Sequence, residues 1–423
     1  MRRLLFAILT LAFGAFAGAF CWAFFFLMNL GMDLLWNRVP VFLESVGCPA
    51  LFYPIVFCTL GGLAIGLFQK RVGPYPDDMN TVLAEVKSSG RYEYKHIKAM
   101  FLGALMPLMF GGSIGPEAGL TGVIAGLCTW VGDRLRFVGS EMRELASAGT
   151  AAIISAIFAA PLFGLAAPLF GYADESDGKA ETGDVPRIEV PKPLKIAIYL
   201  LSIAGALGVF TLLSTFVGGG LGLPRFSEMD VSARELLWMV PIMLIGACAG
   251  WLYHAFGAGV RWLSMRLGER PVVKAVIAGV VLGGIGIFLP FTMFAGESQT
   301  EVLAAQWTGM SALVLLATGF LKVLSTQVCL GLGWRGGHFF PIIFSGISIG
   351  YACAGLMGVD PVFALCVCTA ALLGVVMRQP LMVALLLILC FPVKAVVFML
   401  VAACIGSVIP VPKAFICNAE ESR

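Results

Sequence analysis

Of the 423 residues, 59% are hydrophobic and only 13% charged, with a mean hydropathy of +0.93; a soluble domain carries about 25% charged and roughly 45–50% apolar residues, so soluble enzymes and soluble nucleic-acid binders are excluded. The 28 basic and 25 acidic residues leave a net charge of +3, too small a surplus to suggest a polyanionic partner. The charges collect in a few short stretches, and the apolar runs between them suit the roughly 20 residues that a bilayer-spanning helix needs; the chain reads as an all-α polytopic membrane protein.

The first apolar run, 4–35, follows Arg2 and Arg3 but is too long for the apolar core of a signal peptide and has no clean small-residue cleavage pattern after it. It reads as a retained helix with a cytoplasmic N-terminus. Further apolar runs follow at 49–69, 98–111, 116–131, 142–172, 194–219, 235–258, 271–295, 309–332, 338–357, 361–377 and 380–412. Some are too short to span as ordinary helices and others are long enough to hold two. The polar stretches 70–98 and 132–144 are biased towards Lys and Arg, which sets them on the cytoplasmic side. The stretch 173–195 has the Pro, Gly and charge content of a linker and falls near the middle of the chain. The spacing therefore predicts a first half over 1–195, a second half over 196–412, and a short cytoplasmic tail over 413–423 with no soluble regulatory domain.

Glycine interrupts these runs in clusters that do not suit a helix interior, notably 111–119 and 331–341. Irregular backbone at membrane depth is tolerated only where it is buried or lines an aqueous path. In 112–120, Gly112 and Gly115 free the backbone, Pro116 suits the first position of a new helix, and Glu117 falls in its first turn. Residues 336–341, GGHFFP, repeat the plan behind an apolar segment that carries Lys322, with the new helix expected near Pro341. The orphan amides at a helix start carry partial positive charge and bind anions. One interrupted helix in each half is the plan of an inverted repeat. The twelve cysteines are scattered, the three histidines (His96, His254, His338) form no metal-binding pattern, and no nucleotide-binding motif is present. No metal, no cofactor and no enzymatic activity are therefore expected.

GSIGP (112–116) and GHFFP (337–341) resemble two motifs of the chloride channel/transporter (CLC) family. VGPYP (72–76), ELASAGTAAIISAIFAAPLFG (144–164), LKVLSTQVCLGLGWRGGHFFP (321–341) and VVMRQPL (375–381) extend the likeness over most of 50–412. The resemblance implies an inverted repeat of short, tilted and broken helices, and a homodimer in which each subunit has its own anion pathway. It assigns backbone N–H donors for the anion to His338 and Phe339 and to Ser113, Ile114 and Gly115. It also puts Ile114, Gly73, Pro74 and Phe339 at pore or gate positions.

The departures from that family are chemical. The gating glutamate is replaced by Ile114, the internal proton glutamate by Phe170 or Gly171, and the anion-binding serine by Gly73 followed by Pro74. A pore tyrosine has no counterpart after Tyr351. Glu117 is the remaining intramembrane carboxylate beside the motifs; it either caps a helix or nearby backbone donor, or serves as a displaced gating or proton-carrying group. Lys322 and Arg378 are expected to pair with a carboxylate or carbonyl, with Glu297 or Glu301 available, and Arg335 to make a basic vestibule. The expectation is transport of inorganic anions, chloride first, as a channel or uniporter without obligatory proton coupling, in a bacterial inner membrane. The alternatives are a proton-coupled exchanger using Glu117, and a non-transporting membrane enzyme or scaffold.

Overall fold

The computed structural model describes residues 2–47, 49–135, 139–170, 191–219, 225–226, 228–388 and 390–416. The first half holds α1 (Arg2–Met32), running through a π turn into α2 (Val39–Ser45), then α3 (Tyr53–Arg71), α4 (Met79–Ser89), α5 (Ile97–Met109), α6 (Glu117–Leu135), α7 (Gly139–Phe158), α8 (Pro161–Phe170) and α9 (Lys192–Val217). The second holds α10 (Ala233–Arg266), α11 (Pro271–Phe288), α12 (Glu297–Gln306), α13 (Ala312–Gly331), α14 (Phe339–Met357), α15 (Pro361–Met377), α16 (Pro380–Leu387), α17 (Val396–Val408) and the short α18 (Lys413–Ile416). Among the described residues, seven helical segments are long and apolar enough to cross a membrane, beginning with Ala7–Ser45 and ending with Phe339–Met357. Shorter apolar helices fill the space between them.

Two of the long apolar runs divide. Within 142–172 the helix stops at Phe158, Ala159 takes a left-handed φ of 48°, and Pro161 starts α8. Within 380–412 the chain leaves helix between α16 and α17, around Pro392. In both places a proline forbids the amide hydrogen bond that would continue the preceding helix.

Between helices, glycines replace side-chain packing with backbone contact. Gly62 and Gly66 of α3 lie on the Ala275–Val276 and Pro271–Val272 backbone of α11, while Gly279 and Gly283 of α11 lie on the Cys58–Thr59 and Pro54–Ile55 backbone of α3. Gly14 and Gly18 of α1 meet the backbone of α9 at Ser202 and Ala206 in the same manner. Lipid tails are as apolar as a leucine side chain, so helices in a bilayer associate through such close van der Waals contact.

The two broken helices are copies of each other. Helices α6 and α14 are each 19 residues long and start at Glu117 and Phe339, which are 222 positions apart. At that same spacing Gly111 and Gly333 both take positive φ, 85° and 99°. Likewise the Gly112 amide reaches the Pro107 carbonyl and the Trp334 amide reaches the Cys329 carbonyl, each at 2.8 Å. The same register aligns α3 with α11, α4 with α12, α5 with α13 and α7 with α15. Helix α9, which packs along α1 and α7, then falls in the first copy.

Candidate functional site around Glu117

The loops of the two broken helices touch. The Gly115 amide donates to the Gly337 carbonyl and the Gly337 amide to the Gly115 carbonyl, both at 2.8 Å, as an isolated antiparallel bridge. Gly115 and Gly337 are equivalent in the repeat, so a local two-fold axis runs between them. The Gly115 amide, expected among the anion donors, is therefore engaged by this bridge.

Across the bridge lies the side chain of Glu117, fully buried. Its Oε1 accepts the Phe339 amide hydrogen bond at 2.8 Å, with the amides of Glu117 itself and of Phe340 also bearing on the carboxyl group. Oε2 is buried with no hydrogen-bond partner among the described residues. A Cβ on either Gly115 or Gly337 would fall on the Glu117 carboxyl group. The absence of a side chain at both glycines is thus a steric condition for the carboxylate to lie where it does. Glu117 lies close to its own amide at the start of α6 and also reaches the first turn of α14, the helix equivalent to its own. The donors at that helix start, expected to hold a mobile anion, are holding a carboxylate.

The remaining predicted residues divide between this group and its surroundings. Phe339 begins α14, with its ring buried against Phe158 at 5.8 Å and Phe163 at 6.5 Å, and Phe340 stacks on Phe158 at 5.0 Å. His338 is the N-cap of α14; its half-buried ring lies 4.5 Å from that of Phe339 and 5.8 Å from Tyr253. Helix α14 begins two residues before the expected Pro341. Ser113 is buried, its hydroxyl 3.1 Å from that of Thr326 and its backbone hydrogen-bonded to the Cys329 thiol. Ile114 is fully buried, with its side chain packed on Gly336 and Gly112.

Gly73 and Pro74 stay in the loop after α3, where the Gly73 amide donates to the Gln69 carbonyl at 3.1 Å and Gly73 faces the Tyr75 ring. That loop is linked to the second motif through Gln69, whose side-chain amide donates to the Gly333 carbonyl. Phe170 ends α8, and Gly171 lies outside the described residues.

Lys322 is fully buried, and its ammonium is met by three backbone carbonyls and one side-chain amide. Its Nζ donates to the carbonyls of Phe291, Met293 and Phe294 at 2.8–3.0 Å and to Gln299 Oε1 at 3.3 Å. Arg378 reaches the Ile409 carbonyl at 3.4 Å. Arg335 is half-buried beside the second motif, with the charges of Asp77 and Asp78 acting on it. In the same acidic group, burial and then the charges of Asp77 and Glu93 push Glu85 above its ordinary value. Sequence reasoning missed the aromatic box of Phe158 and Phe163, although both lie in the 144–164 stretch that carries the family likeness. It also missed Tyr253, which comes from a helix without a motif.

Inverted, interrupted helices that meet at a buried glycine bridge, with a carboxyl group on the buried helix start, define a membrane transport protein rather than an enzyme. The family profile described as Voltage gated chloride channel matches residues 61–410, and the chain belongs to that family. Its class of activity is accordingly anion transport. The chain is 28% identical over 331 residues to the "Putative ion-transport protein YfeO" of Escherichia fergusonii, covering 75% of this chain and 71% of that one. The corresponding protein of Escherichia coli (strain SMS-3-5) matches at 28% over 332 residues, with the same coverage. Among solved structures, a slow cyanobacterial Cl-/H+ antiporter superposes with a TM-score of 0.78 at 17% identity, over 95% of this chain and 93% of that one. A CLC-type fluoride/proton antiporter gives 0.72 at 19% identity, over 97% and 96%. At these identities the likeness establishes the fold.

Proposed function

We propose that the chain moves inorganic anions, chloride first, along a pathway that passes the start of α14, and that Glu117 is the group an anion must displace there. The observation that carries this reading is the Glu117 carboxylate on the Phe339 amide. A helix start concentrates partial positive charge and N–H donors, and a carboxylate and a halide compete for the same donors. Protonation removes the charge from Glu117, weakens its hold on the amide and leaves the donor to the anion. Anion flux is then tied to a proton on Glu117.

The expectation of transport without obligatory coupling rested on the loss of carboxylates at 114 and at 170–171. The position of Glu117 favours the alternative, in which this residue supplies the proton-binding function from three positions further on. We infer further that the chain works as a homodimer of self-contained subunits in a bacterial plasma membrane, with both termini in the cytoplasm.

The test is chloride flux from liposomes containing the purified protein, with the internal pH followed at the same time. A chloride gradient is expected to drive protons, and acidification to speed chloride. Chloride flux that ignores pH and moves no protons would return the reading to simple uniport. Absence of flux for chloride, bromide, nitrate and fluoride alike would refute transport along this path.

A further inference from the structure

A second buried carboxylate lies in the other copy of the repeat. Glu297 is the first residue of α12, only 6% exposed, and its Oε1 is buried with no hydrogen-bond partner among the described residues. It belongs to the segment 289–297 that Lys322 holds through three backbone carbonyls. The Lys322 ammonium also sits 4.5 Å from the centre of the Phe344 ring, and Gly296 packs against the Phe344 Cβ at 2.8 Å from where its own Cβ would be. Phe344 is five residues beyond Phe339 on α14, about 7–8 Å along the helix axis at 1.5 Å per residue. Glu117 thus meets the first turn of α14 and the Glu297 segment its second turn, and the charge of Glu297 acts on Glu117.

The segment is also joined to the first broken helix, because the Phe294 amide donates to the Gly111 carbonyl at 2.9 Å. The charged and titratable groups that bear on Glu297 and its partner are Glu117 from α6, Lys322 and the Cys329 thiol from α13, and Glu301 on its own helix, exposed.

Resting on the reading of Glu117 given above, we propose that Glu297 is a second proton-binding station of the pathway, with Lys322 as its fixed counter-charge, and that protons reach Glu117 through it. Two carboxylates and one ammonium, all buried, carry one uncompensated negative charge when fully ionised, which is costly in a low-dielectric interior. One proton shared between the carboxylates brings the trio to neutrality. Glu297 takes that proton from solution. Its O–H bond then breaks as one forms on the orphan Oε2 of Glu117, the proton passing along intervening water, while Lys322 stays an ammonium throughout. Four acceptors on the Lys322 Nζ fix the counter-charge in place, so the proton moves and the counter-ion does not.

The experiment compares chloride efflux from liposomes across pH 4.5–8 for the parent protein, Glu117→Gln, Glu297→Gln and Glu297→Asp, with a pH-sensitive dye inside. Glu117→Gln should give flux that no longer responds to pH. Glu297→Gln should keep chloride flux at the lowest pH but slow chloride-driven proton movement at least tenfold, and Glu297→Asp, which restores a carboxylate, should recover most of it. If Glu117→Gln removes the pH response while Glu297→Gln behaves as the parent in both signals, the relay is refuted and the Glu117 reading stands. If Glu117→Gln keeps the parent pH response, the Glu117 reading fails and the relay with it. Equal loss in Glu297→Gln and Glu297→Asp would show that Glu297 holds structure rather than protons. Should Glu297→Gln not purify as a folded protein, Glu297→Asp decides through its pH profile: proton movement shifted along the pH axis with parent chloride flux at the lowest pH supports the relay, and an unshifted profile or loss of both signals refutes it.

Discussion

Replacing Glu117 by glutamine keeps the shape of the side chain and its acceptor oxygen but removes the charge at the start of α14. The hydrogen bond in question spans 2.8 Å from the Phe339 amide to Glu117 Oε1. A hydrogen bond to a charged group contributes about 1.5–3 kcal/mol and a neutral one about 1 kcal/mol. A charge at a helix terminus adds about 0.3–1 kcal/mol. The competitor is thus weakened by roughly 1–3 kcal/mol, or about 5- to 150-fold at 1.4 kcal/mol per decade. Chloride affinity at neutral pH should tighten by about that factor, and the titration should flatten, since glutamine has no proton to gain. Isothermal calorimetry on the detergent-purified protein at pH 7.5 and pH 5 reads both quantities. In the parent protein chloride should bind more tightly at the lower pH, because a protonated Glu117 no longer opposes it. An unchanged affinity together with an unchanged pH slope would mean that Glu117 and chloride do not share donors, and the assignment of the site would fall.

Gly337→Ala should destabilise the protein by about 2 kcal/mol or more, since its Cβ would fall on the Glu117 carboxyl and overpacking costs about 1–3 kcal/mol. In the double variant Gly337→Ala, Glu117→Ala the loss should be less than additive, a coupling that thermal unfolding in detergent measures. Ile114→Ala should lower stability by about 2–4 kcal/mol through the cavity left in a fully buried position; a change under 0.5 kcal/mol would place the side chain in open space. Gly279→Leu should prevent assembly, because α3 backbone at Cys58 lies where the side chain would go; a normal yield of monodisperse protein would contradict the packing of α3 on α11.

The broken helices were legible because their chemistry is local. Glycine clusters, a proline at a helix start and flanking apolar runs are all visible within a dozen residues. The buried lysine was legible for a related reason: an ammonium at membrane depth must find acceptors, whatever the fold. The partner of Glu117 was not legible, because it stands 222 residues away and only the fold brings the two helix starts together. The commitment of the Gly115 amide was hidden likewise, since it depends on a carbonyl in the other half. Ala159 shows a third limit. An alanine-rich stretch favours helix, and the left-handed break there is marked only by the proline two positions on. The aromatic rings of Phe158 and Phe163 then come to face α14 from a run that reads simply as apolar.

The glycine bridge has a consequence for direction. A scaffold built from two inverted copies is indifferent to which side of the membrane is which; turned over about its local axis, its backbone is nearly the same object. Polarity must therefore be written in side chains at matched positions. Two positions past the bridge one copy carries a glutamate, Glu117, and the other a phenylalanine, Phe339. The acid leans across to the aromatic's helix, with no matching acid to lean back. That mismatch, with Ile114 against Gly336 and Ser113 against Arg335 in the same register, gives an otherwise reversible frame an inside and an outside.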